Sequence, residues 1–200
     1  VIQFAENLGV LDYQTWQQKF ANTASTSSTS STPTRIKFIT GTTSHSTYQE
    51  LAGGNSDEYV LGALAGQELT VNVIPHNTAD AENFVLNISG ADGSVLVSEN
   101  AQTNFWSGIL PATQDYVIQV TNRGNATLYK LEVNIPWQIS LAAGETSTML
   151  EGRLVTGMDN NTYLLRAQAG QTLTVTTTSP YNNVCLTIAA RMTDGTYIPL

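Results

Sequence analysis

The sequence predicts an all-β protein made of two tandem antiparallel β-sandwich modules, preceded by an N-terminal docking extension. Three observations carry this. The stretch Tyr59–Val71 (YVLGALAGQELTV) returns without a gap as Tyr163–Val175 (YLLRAQAGQTLTV), with nine of thirteen positions identical. A repeated strand–turn–strand unit means a repeated module. Apolar residues alternate with polar ones along short runs, as half-buried strands require, and turn residues fall between the runs at roughly 8–12 residue spacing. The divisions that follow are an extension at 1–22, a Ser/Thr-rich linker at 23–34, module one at 35–136 and an incomplete module two at 137–200.

In the extension, Val1-Ile2-Gln3-Phe4 alternates like a short strand, and Leu11, Tyr13, Trp16 and Phe20 follow with mixed periodicity. A short amphipathic helix over about 11–21 and an added strand are the rival readings. Large apolar residues on a terminal segment are expected to dock on something. Val1, Ile2, Phe4, Leu11, Trp16 and Phe20 are therefore the candidate partner-binding residues. Residues 23–34 form a hydroxyl-rich tract with no apolar period, read as a flexible or extended linker. Its Ser25, Thr26, Ser27, Ser28, Thr29, Ser30, Ser31 and Thr32 are candidate O-glycosylation sites.

Module one opens with Ile36 and Phe38 as a strand, then a turn formed by Gly41 and the Thr/Ser run behind it. Tyr59 to Val73 reads as a hairpin about Ala65-Gly66-Gln67, with Leu69, Val71 and Val73 on one face; Gly66 and Gly170 suit a turn position with positive φ. Phe84, Leu86 and Ile88 give the next strand, and Ala91-Asp92-Gly93-Ser94 a hairpin turn into Val95-Leu96-Val97. Phe105 to Ala112 follows, then Tyr116, Ile118, Val120 and finally Tyr129, Leu131, Val133, Ile135, a one-sided strand.

Module two begins at Trp137, with Ile139, Leu141 and Gly144 echoing Ile36, Phe38 and Gly41. Val184 to Ile188 echoes Phe84 to Ile88, and Asp194-Gly195 echoes Asp92-Gly93. It has no counterpart of Phe105 to Pro136. Either the polypeptide is longer than this chain, or another segment or subunit supplies the missing strands, or the module is a reduced sandwich. Strand donation is the physical route for the second. The chain opens at Val1 rather than Met, so a leader has been removed or the chain begins within a longer protein.

Composition narrows the function classes. Charged residues make up 12% and the net charge is −8, so solubility rests on hydroxyls and amides and the field repels nucleic acid and anionic membrane. No apolar run approaches a membrane span. Cys185 is the sole cysteine, which excludes an intrachain disulfide. It is expected as a small core or strand-face thiol.

Asp57-Glu58-Tyr59-Val60-Leu61 with Ala65-Gly66-Gln67-Glu68-Leu69-Thr70-Val71, continued by Asn83–Ile88 and Gly90–Leu96, resembles the bacterial pre-peptidase C-terminal (PPC) domains of secreted proteins. Trp106-Ser107-Gly108-Ile109-Leu110-Pro111-Ala112-Thr113-Gln114-Asp115-Tyr116 is similar to the related inhibitors of goose-type lysozyme. The resemblance implies a non-catalytic, exported, jelly-roll-like sandwich. Such modules occur in secreted peptidases, lysozyme inhibitors and surface proteins.

Little in the chain bears chemistry. His45 and His76 are the two histidines, no Gly-x-Ser-x-Gly elbow exists, no His/Cys pair has metal-ligand spacing, and no phosphate-cradling glycine loop is present. No catalytic residue and no cofactor is assigned, so the expectation is a protein that is not an enzyme. Calcium is the single metal considered, with Asp57 and Glu58 before the first repeat and Asp159-Asn160-Asn161 before the second as candidate oxygen ligands. Asp80 and Glu82 with Asn77 form a further acidic group. Tyr48, Tyr181, Tyr197 and Trp137 are candidates for stacking on sugar rings. Asn87, Asn125 and Asn160 match the N-glycosylation pattern.

The expectation is an extracellular or cell-surface structural subunit of an assembly such as a fibre. It would self-associate or join another surface protein through its N-terminal segment. The alternatives are a secreted binding module, such as a lysozyme inhibitor or glycan binder, and an accessory region of a larger secreted peptidase.

Overall fold

The computed structural model describes residues 32–155, 160–192 and 197–199. The chain is all-β and divides into two compact units. The first takes the described residues of Val1–Pro136 and of Met149–Thr162; the second takes those of Trp137–Thr148 and Tyr163–Leu200. Among the described residues, no helix is long and apolar enough to cross a membrane.

Among the described residues the first unit holds nine strands: β1 (Thr34–Arg35), β2 (Ser44–Leu51), β3 (Ser56–Ala63), β4 (Glu68–Pro75), β5 (Phe84–Gly90), β6 (Val95–Val97), β7 (Phe105–Ile109), β8 (Gln114–Asn122) and β9 (Thr127–Asn134). One sheet has the order β1-β3-β8-β5-β6 and the other β2-β9-β4-β7. All pairings are antiparallel except β1 with β3. Period-2 alternation decides what each strand buries. Leu69, Val71 and Val73 point inward from β4, and Tyr129, Leu131 and Val133 from β9. Tyr59 and Leu61 of β3, Leu86 and Ile88 of β5, and Tyr116, Ile118 and Val120 of β8 meet them from the opposite sheet.

The repeated stretch is not a hairpin. β3 and β4 lie in different sheets, so the turn at Ala65-Gly66-Gln67 is an arch from one layer to the other. Both arms carry inward apolar residues because each faces the other across the core. Gly66 takes φ +82, and its N–H donates to the Leu110 carbonyl (2.8 Å). The turn at Asp92-Gly93, in contrast, is the expected hairpin between β5 and β6, with Gly93 at φ +84 and Asp92 Oδ1 accepting from the Ser94 hydroxyl (2.6 Å).

Two further expectations are corrected. The opening strand is Thr34–Arg35 rather than a run through Ile36 and Phe38; Ile36 is buried beyond its end, its N–H donating to the Val60 carbonyl (2.8 Å). The hydroxyl run after Gly41 is a full edge strand, β2, paired along its length with β9.

The Met149–Thr162 segment closes the turn before β2. Asn161 Oδ1 accepts from the Thr43 N–H (2.9 Å), while its Nδ2 donates to the carbonyls of Gly41 (3.1 Å) and Arg153 (3.0 Å). Arg153 N–H donates to the Gly41 carbonyl (2.7 Å), the Thr162 N–H to the Thr43 hydroxyl (2.7 Å) and the Ser44 hydroxyl to the Asn160 carbonyl (2.8 Å). One asparagine thus bonds three backbone groups, of which the Gly41 carbonyl also accepts from Arg153.

The second unit carries short pairs rather than broad sheets. β10 (Trp137–Ile139) runs parallel to β11 (Tyr163–Leu165), and β12 (Ala189–Arg191) antiparallel to β13 (Tyr197–Pro199). Residues 166–188, expected to hold the second repeat's outgoing strand and its successor, form no strand. Leu173, Val175, Val184, Leu186 and Ile188 stay 36–48% exposed. Alternating apolar residues make a stable strand only against an opposing apolar face, and among the described residues none covers these. Asp194-Gly195 lies outside the described residues.

Candidate functional site

The most perturbed titratable group lies between the sheets of the first unit. Tyr59 of β3 and Tyr129 of β9 both point inward, and their hydroxyls meet at 2.6 Å. The Tyr129 hydroxyl also donates to Asp57 Oδ2 (2.7 Å), and the Tyr129 ring packs against Phe84 with centroids 5.4 Å apart. Burial raises the Asp57 carboxyl above the usual carboxylate range, against the opposing effect of the Tyr129 hydrogen bond. Burial likewise pushes Tyr59 up to about 12, and Tyr129 upward further. Phenols held this firmly protonated are neither nucleophiles nor neutral-pH acids, so the trio is a polar brace across the core.

The candidate calcium ligands Asp57 and Glu58 do not share a loop. Both lie near the start of β3, on opposite faces. Glu58 Oε1 accepts from Gln119 Nε2 (3.3 Å), while Asp57 turns toward Tyr129. Asp159 lies outside the described residues. Asn77 caps the short 3-10 helix Thr78–Asn83, accepting from the Ala79 N–H (3.2 Å), which gives that polar group a local role. Among the described residues, no three His, Cys, Asp or Glu side chains gather as metal ligands.

The other singled-out residues are scattered. His45 sits on β2 with its ring pK lowered by burial. Cys185 is exposed, not a core thiol, because its stretch forms no strand. Tyr48 is 41% exposed, with Lys130 Nζ 5.7 Å above its ring. Trp137 and Tyr181 are exposed in the second unit. Thr32 is exposed, whereas Val1, Ile2, Phe4, Leu11, Trp16, Phe20 and Ser25 to Ser31 lie outside the described residues.

Two surface features remain on the first unit. A shallow groove of about 490 Å³ is lined by Gly62, Ala63, Leu64, Gln67, Thr113, Gln114 and Asp115. Its Asp115 is held by a bidentate ion pair with Arg35 (2.9 and 3.0 Å). Gly62 leaves room for it: a Cβ there would stand 3.3 Å from Arg35 Nη2. The second feature is β7, the outer strand of the four-stranded sheet, with Phe105 51% and Ile109 55% exposed. Sequence reading registered its residues only as part of a motif; the absence of any charge or proline across Phe105-Trp106-Ser107-Gly108-Ile109 was the available signal.

No family model matches the chain, and no curated protein matches it. Among solved structures it is similar to PliG of Aeromonas hydrophila, a periplasmic inhibitor of g-type lysozyme, at 26% identity and TM-score 0.43, over 52% of this chain and 96% of that one. It is similar also to PliG of Salmonella Typhimurium (19%, TM-score 0.41, 53% and 99%). The pre-peptidase C-terminal domain of collagenase from Bacillus anthracis follows at 15% and TM-score 0.40, over 54% and 100%. Each of these similarities spans about half of this chain.

Proposed function

We propose that the chain is an exported, non-catalytic β-sandwich protein that acts by binding. More finely, it is a structural subunit of an extracellular or cell-surface assembly, joined by insertion of residues 1–22 of one copy onto the second unit of another. One observation carries this reading. Leu173, Val175, Leu186 and Ile188 alternate with polar residues as buried strands do, yet each is at least 36% exposed. A strand laid beside them would satisfy their backbone and cover their side chains together. Residues 1–22 supply the apolar groups, on a tether that permits reach to a neighbour.

Deleting residues 1–22 and measuring mass by light scattering tests the reading. Loss of the species larger than a dimer is expected; assembly as before would overturn it.

A second reading is supported by the Trp106–Tyr116 stretch, the part similar to lysozyme inhibitors. It forms β7, a turn with Pro111 and Thr113 exposed, and the start of β8, and its end lines the groove. Excess protein added to goose-type lysozyme should then slow lysis, and unchanged lysis removes this reading.

A further inference from the structure

The outer edge of β7 is self-complementary, and we propose that it pairs with the β7 of a second copy about a two-fold axis at Ser107. This rests on the first unit alone and not on the N-terminal docking proposed above.

Hydrogen-bond parity sets which groups face outward. The N–H and carbonyl of Leu110 bond to Gln67 and Gly66, and the Asn104 carbonyl accepts from the Val73 N–H, so even-numbered residues face β4. Phe105, Ser107 and Ile109 turn their backbone groups the other way. No strand pairs with that side among the described residues. The other edges of the sandwich are guarded. β1 and β6 span two and three residues, and β2 carries His45, Gln49 and Glu50. β7 alone presents five uncharged residues with no proline.

An antiparallel pairing centred on Ser107 puts Ser107 opposite Ser107, Phe105 opposite Ile109 and Trp106 opposite Gly108. Each outward-facing residue then meets another outward-facing one, as ladder hydrogen bonds require. On the outer face, two half-exposed apolar residues become an aromatic–β-branched cross-strand pair, twice over. On the inner face, the Trp106 ring already lies over Gly108, where a Cβ would come within 2.6 Å of its Cζ2. The glycine leaves the strand flat enough for a neighbour. An isologous contact of this kind closes on itself.

The edge also has a latch. The Thr103 hydroxyl accepts from the Phe105 N–H (3.2 Å) and donates to the Phe105 carbonyl (2.8 Å), occupying the outermost outward-facing pair. Full pairing needs that hydroxyl to turn away, so Thr103 tunes how tightly two copies join.

Sedimentation velocity over a concentration series, with the full chain, tests the proposal. The unaltered protein should show a concentration-dependent dimer. Ile109→Lys, at an exposed position, and Ser107→Pro, which removes an outward N–H, should each weaken it at least about tenfold. Thr103→Val should tighten it. Ser107→Cys in a Cys185→Ser background should form a disulfide-linked dimer on addition of diamide, because Cα atoms in a hydrogen-bonded antiparallel pair lie about 5.5 Å apart. A monomer at all concentrations overturns the proposal. So does an oligomer that survives Ile109→Lys and disappears on deletion of residues 1–22, an outcome that would leave the docking reading standing.

Discussion

The Tyr59 and Tyr129 hydroxyls meet 2.6 Å apart across the two sheets, and Tyr129 continues the chain of hydrogen bonds to Asp57. Tyr129 is the central member, giving one bond and sharing another. Tyr129→Phe keeps the ring against Phe84 but leaves a buried phenol and a half-buried carboxylate short of a partner. A loss of about 1–3 kcal/mol in urea unfolding is expected. Tyr59→Phe should cost less, since the Tyr129–Asp57 bond survives it.

Alkali should unfold the protein over a definite range. The folded-state value for Tyr59 is raised to about 12 from an ordinary value of 10.0, so the folded form holds that proton more tightly. The associated stability is complete below pH 10 and is lost as pH rises toward 12. Phenolate absorbance at 295 nm should therefore show two tyrosines that ionise only with unfolding, one fewer in Tyr129→Phe.

His45 produces the opposite slope on the acid side. Burial lowers its value beneath the ordinary 6.5, so the folded form resists protonation. The contribution is present above pH 6.5 and is lost as pH falls through the lowered value. Thermal melts from pH 7 to 5 should decline less steeply for His45→Gln than for the unaltered chain.

Asn161→Ala removes three hydrogen bonds at once, to the Thr43 N–H and to the Gly41 and Arg153 carbonyls. These groups lie near the surface, where water replaces part of what is lost, so a cost of about 1–2 kcal/mol is expected. Faster hydrogen exchange at the Thr43 amide, with unchanged exchange in β5 and β8, should accompany it.

Thermolysin should cut first within residues 166–188, where no strand forms and Leu173, Val184 and Leu186 are exposed. The ladders of the first unit should resist for far longer. Protection of 166–188 at high protein concentration would report the covering of these residues by a second copy.

The inward positions of β3, β4, β5, β8 and β9 were legible because each alternates large apolar residues with polar ones. What alternation cannot give is the sheet to which a strand belongs. Leu69 and Leu61 both face the core whether their strands pair or oppose, so the arch read as a hairpin. β2 was hidden for another reason. Its Ser44, His45, Ser46 and Thr47 carry no apolar signal, and it is a strand because β9 offers a complete ladder beside it. Asp57 drew notice through its charge, but its environment comes from Tyr129, 72 residues later. The clasp at Gly41 was equally out of reach, since Asn161 lies 118 residues beyond Thr43.

That clasp carries a mechanical consequence. Residues 149–162 belong with the first unit, while the chain on both sides of them belongs with the second. Tension applied at the C-terminal end meets the three-residue β10–β11 ladder first, and the hydrogen bonds of Asn161 and Thr162 once that ladder parts. Short ladders and a handful of side-chain hydrogen bonds would then yield ahead of the two broad sheets, lengthening the chain while the sandwich stays shut.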